Sequence, residues 1–104
     1  MAETHWTELD GRELRFRDQT WALTGDVDVR QSGDLLAVKA TRVDGVRHET
    51  ATLYFGLDDP PASLNPGNLG EHFDHLETED GQQTLVVRKD PRTYRYRLQR
   101  LTYA

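Results

Sequence analysis

The dipeptide Asp44-Gly45, set between Val43 and Val46, is the feature that most limits how this chain folds. Asp-Gly flanked by β-branched residues favours a two-residue type I′ turn, because glycine takes the positive φ that such a turn demands. Counting outwards from it, Val43 faces Val46, Ala40 faces Glu49, Val38 faces Ala51 and Leu36 faces Leu53. Lys39 with Thr50, Thr41 with His48 and Ala37 with Thr52 fall on the other side. Larger apolar residues on one side and mostly polar ones on the other is what a half-buried antiparallel pair requires.

Two earlier turns agree with that face. With Ser32-Gly33 as a loop, Val29 faces Leu36, Val27 faces Val38, and Asp26 lies across from Lys39. With Asp18-Gln19 as a turn, Phe16 faces Trp21 and Leu14 faces Leu23. Gly25 interrupts the long strand between them, and a glycine there marks a bulge or bend. Asp58-Asp59-Pro60-Pro61 ends the strand pattern, since proline cannot donate to a ladder. Asn68 and Glu71 have capping-box spacing, with Asn65 before Pro66 as a rival cap. Leu69, Phe73 and Leu76 recur at i, i+4 and i+7, which predicts a short helix ending before Gly81. Asp90-Pro91-Arg92-Thr93 reads as a type I turn that pairs Val87 with Tyr96 and Leu85 with Leu98 and turns Arg88, Arg95 and Arg97 outwards.

The fold class that follows is mainly β (α+β): an antiparallel meander of five or six strands curled into a small barrel or half-barrel. One short helix falls between strands 4 and 5, an order that is OB-like. The 104 residues make one β-rich domain, with 1–11 as a loosely ordered N-terminal segment.

Composition narrows function mostly by exclusion. The chain has no cysteine, hence no disulfide, thiol nucleophile or thiolate metal site. Neither a membrane-length apolar run nor a signal-peptide pattern occurs, so the expectation is a cytoplasmic protein with no membrane partner. Eighteen acidic residues against thirteen basic give a net charge of -5, which disfavours global attraction to nucleic acid. Eleven of the acids are Asp, and of the bases only Lys39 and Lys89 are lysine. In that balance, and in the segments TWALTGDVDVR, TATLYFGL and SLNPGNLGEHF, the chain resembles small acidic proteins of halophilic archaea. The resemblance implies no activity.

Three clusters carry chemistry. The predicted register ends the apolar face in Arg42, Arg47 and Glu49 near Trp21. Two guanidiniums there suit a carboxylate or phosphate, and a solvated hairpin tip is the plain alternative. Arg15, Arg17, Arg88, Arg95 and Arg97 point outwards on the first and last strands, a stripe for a nucleic-acid backbone or an acidic partner. His72-x-x-His75 lacks a third ligand, so no metal and no cofactor is expected. No serine has a histidine placed by sequence, and no carboxylate pair is placed for acid–base work. The reading is a non-enzymatic binding module for a protein or a small anionic ligand. Its alternatives are a small enzyme or ligand-metabolising barrel using the Arg42, Arg47, Glu49 end and a nucleic-acid-binding barrel using the arginine stripe.

Overall fold

The computed structural model describes residues 4–57, 69–79 and 81–103. They form one antiparallel sheet of eight strands: β1 (Thr4–His5), β2 (Glu13–Phe16), β3 (Gln19–Arg30), β4 (Leu35–Arg42), β5 (Thr50–Leu57), β6 (Phe73–Glu79), β7 (Gln82–Lys89) and β8 (Arg92–Tyr103). The strand order is β1-β3-β4-β5-β8-β7-β6, with β2 beside β1 on the same edge of β3. The predicted helix is absent, and with it the OB-like order. Leu69–His72 is a 3-10 turn and Phe73 opens β6. The helical spacing came from a bulge: Phe73 faces Val87 but His75 faces Val86. One extra residue there lets Phe73 and Leu76, three apart, turn to the same core. The Asn65 and Asn68 caps and the Asp58–Pro61 stop lie outside the described residues.

The hairpin registers differ from expectation by two residues in three places. Val38 pairs with Leu53 rather than Ala51, and Leu36 with Phe55. Leu14 pairs with Trp21, around a turn at Arg17-Asp18. Leu85 pairs with Tyr96 and Val87 with Tyr94, around Asp90-Pro91. Asp44-Gly45 therefore does not form a two-residue turn. The Val43 N–H donates to the Thr20 carbonyl at 3.0 Å, which draws it towards β3, and the Arg42 N–H donates to the Glu49 carbonyl at 2.8 Å. A tight turn would have set Arg42 opposite Arg47, a like-charge pair; the longer loop gives Arg42 a carboxylate instead. The remaining register is as expected: Val27 pairs with Val38 and Val29 with Leu36, with a register shift between Leu23 and Val27, the interval that holds Gly25. Lys39 Nζ reaches Asp26 Oδ2 at 3.2 Å.

Curling brings the two ends of the sheet together as a half-barrel. Trp6, just after β1, lies against Phe73 of β6 with ring centroids 6.3 Å apart, and the Arg12 guanidinium stands over the same ring at 5.4 Å. Trp6 and Leu9 lie in the described part of the N-terminal segment, and both are fully buried in the core. The Trp6 N–H donates to the Gly25 carbonyl at 2.9 Å. Inside the curl, Trp21, Leu23, Val27, Leu36, Leu53, Phe55, Leu85 and Tyr96 form the core. The Tyr96 hydroxyl donates to the Gly33 carbonyl at 2.7 Å, tying β8 to the β3–β4 turn, and burial holds the phenol above its ordinary pKa. In β7 both faces are buried: Leu85 and Val87 inwards, Thr84 and Val86 beneath the outer side chains.

Candidate functional site

The cluster first suggested by the sequence splits apart. Arg42 is spoken for: its Nε lies 3.0 Å from Asp44 Oδ1 and its Nη1 2.9 Å from Glu49 Oε1. Those carboxylates hold its pKa above the ordinary value, and Arg42 in turn lowers that of Asp44. The guanidinium lies over Gly45, where an added Cβ would stand 3.0 Å from Nε. Arg47 stays outside this network and is exposed. Trp21 is fully buried, packs against Tyr103 at 6.0 Å between ring centroids, and so is no wall of an open site.

The arginine stripe also divides. On the outer face of β6, β7 and β8, Arg88 Nη2 lies 3.9 Å from Asp74 Oδ2 and Arg95 Nε 3.6 Å from Glu77 Oε2. Between those carboxylates sits His75, with Nδ1 2.5 Å from Asp74 Oδ2 and Nε2 2.7 Å from Glu77 Oε1. Both ring nitrogens therefore donate, the imidazolium is favoured, and its pKa is raised by Glu77 first and Asp74 second. A histidine held this way has no free nitrogen to act as a base. Arg97 shares that face, paired with Thr84. Among the described residues no three His, Asp or Glu side chains converge as metal ligands. No helix of the described residues is long and apolar enough to cross a membrane.

Arg15 and Arg17 stand elsewhere, at a cleft of about 320 Å³ lined by Arg15, Phe16, Arg17, Gly81, Gln82, Gln83 and Leu98. Its construction can be followed residue by residue. The β7–β8 ladder begins only at Thr84 and Arg97, so Gln82 and Gln83 lie beyond it. The Gln82 side chain fills in by donating to the Leu98 carbonyl at 3.2 Å. Gln83 Oε1 accepts from Thr78 Oγ1 at 3.2 Å, which orients the amide and leaves its NH₂ to donate. Phe16 and Leu98 supply an apolar floor, and Arg15, Arg17 and Gln83 a polar rim. Neither arginine has a carboxylate partner among the described residues; Arg17 lies over the Phe16 ring at 4.9 Å.

Arg17 is also conformationally strained. Arg17 and Asp18 have φ of 53° and 61°, the left-handed pair of a type I′ turn. Asn-Gly would fit that turn best, and a residue with a full side chain in this region costs roughly 1–2 kcal/mol. Strain of this kind collects where a side chain is held for a purpose. The sequence reading put Arg17 in the outer stripe and missed the cleft, because the cleft depends on where the β7–β8 ladder stops.

A larger groove of about 440 Å³ runs over the outer face of β3, β4 and β5, lined among others by Thr24, Asp26, Lys39, Thr41, Thr50 and Thr52. Its two charges pair with each other, and Thr24 Oγ1 donates to the Lys39 carbonyl at 2.9 Å. It offers hydroxyls without net charge, whereas the smaller cleft offers two cations over an apolar floor. Comparison with protein-family models, with curated proteins and with solved structures finds no match to this chain.

Proposed function

We propose that this protein is a binding module for a small anionic ligand, a carboxylate or phosphate, held in the cleft between the β2–β3 and β6–β7 turns. The observation that carries the reading is the pair Arg15 and Arg17, without carboxylate partners among the described residues, on the rim of that cleft. Guanidiniums suit such anions bidentately, and the Gln83 amide adds a neutral donor. The size and the place, at the mouth of a curled sheet, are those of small-molecule sites generally. The reading is preferred to an enzyme at Arg42, Arg47 and Glu49 because Arg42 already serves two carboxylates. It is preferred to nucleic-acid binding along the stripe because Arg88 and Arg95 face Asp74 and Glu77.

The test is a chemical-shift titration of the ¹⁵N-labelled protein with acetate, benzoate and inorganic phosphate. Saturable shifts at Arg15, Arg17 and Gly81–Gln83 are expected. Arg17→Asn should abolish them while leaving the melting temperature unchanged or higher, because asparagine tolerates the left-handed backbone better. Shifts confined to another surface, or an Arg17→Asn protein that still binds, would remove the reading.

A further inference from the structure

The cleft has a second property that a site for a free ion does not need: one of its walls is an open strand edge. Successive residues of a strand point to opposite faces, so a cleft lined by all of Arg15, Phe16 and Arg17 runs along the edge of β2. The hydrogen bonds of the hairpin show which backbone groups lie there. The Leu23 N–H donates to the Arg12 carbonyl at 2.7 Å, so the hydrogen-bonded pairs of this ladder join even-numbered residues on the β2 side to odd-numbered residues of β3. The Thr20 carbonyl, opposite Arg15, accepts instead from Val43 on the far side of β3. Arg15 and Thr20 are therefore a non-hydrogen-bonded pair. The Arg15 N–H and C=O point away from β3, off the open edge, with no partner among the described residues.

We infer that the ligand is the C-terminal end of an extended peptide, which adds a short strand to β2 and places its terminal carboxylate on Arg15 and Arg17. The inference rests on the anion-binding reading above and names its substrate class. Main-chain bonds to Arg15 supply affinity that is independent of sequence, as in other strand-addition complexes. The apolar floor of Phe16 and Leu98 takes one side chain of the peptide. Charge order along β2 sets the direction. Glu13, exposed at its start, repels a carboxylate, while Arg15 and Arg17 at its end attract one, so the peptide lies parallel to β2. β2 has only four residues, so it pairs with a chain end and not with a long strand.

The experiment compares four probes by the same titration: acetate, the tetrapeptide acetyl-Thr-Val-Thr-Val with a free carboxylate, its C-terminal amide, and the free acid N-methylated at the third residue. The free acid should bind at least tenfold more tightly than acetate and than its own amide, and should protect the Arg15 amide from hydrogen exchange. N-methylation, which removes a main-chain donor, should weaken it. If acetate binds as well as the peptide, the peptide inference falls and the small-anion reading stands. Equal binding of acid and amide overturns carboxylate capture, and no binding by any probe overturns both.

Discussion

Trp6 and Phe73 stand ring to ring, 6.3 Å between centroids, although one follows the first strand of the sheet and the other opens its last edge. No ladder joins those two edges among the described residues, so the half-barrel is held shut here by packing. Trp6→Ala should therefore cost about 3–5 kcal/mol, as large-to-small changes of buried aromatics do. A urea melt measures it. A change under 1 kcal/mol would mean that the segment around Trp6 is loosely held, as its sequence leads one to expect.

The Asp74–His75–Glu77 cluster makes stability depend on pH in a stated direction. The His75 pKa is raised from 6.5, so its contribution is complete below 6.5 and is lost as pH rises through the higher folded value. That of Asp74 is lowered from 3.8, mainly by His75, so its contribution is complete above 3.8 and is lost as pH falls through the lower folded value. Arg88 and Arg95 face the same carboxylates and favour their charged forms throughout. Melting temperatures between pH 4 and 9 should fall on the alkaline side in the wild type and flatten in His75→Gln. Half-exposure of the ring keeps the effect small. An NMR titration of His75 that centred below 6.5 would contradict the geometry.

Arg42 and Arg47 should behave differently although they share a loop. Arg42→Ala leaves Asp44 and Glu49 without their cation and removes the side chain lying over Gly45, so the melting temperature should drop. Arg47→Ala should leave it unchanged. Equal effects from the two would mean that Arg47 shares the ion pairs.

What the sequence disclosed, and what it hid, follows from the period of the strand. All three register errors were two residues long, and a shift of two returns every side chain to its own face. The inward set around Trp21, Leu23, Val38, Leu53 and Leu85 was therefore legible although the partners were not. Turn chemistry was the weak link. Asp44-Gly45 was overruled by Arg42 finding Glu49, and Arg17-Asp18 forms a turn that its residues do not favour. The β6 bulge produced a helical spacing in a strand, which no window of single-residue periodicity separates from a helix. Trp6 and Leu9 lie in a stretch too short to show a period. The cleft was least legible of all, since it arises where the β7–β8 ladder stops early.

The bulge at Asp74 also bears on how copies of this protein behave towards one another in concentrated solution. Among the described residues, β6, at seven residues, is the longer of the sheet's two terminal edges and the one most able to template pairing with another chain. An extra residue near its start throws a neighbour's hydrogen bonds out of step, and the charged Asp74, His75 and Glu77 follow at once. Self-association is thus discouraged where the edge is long. Along β2 the edge is short, and four residues are too few to nucleate a fibre.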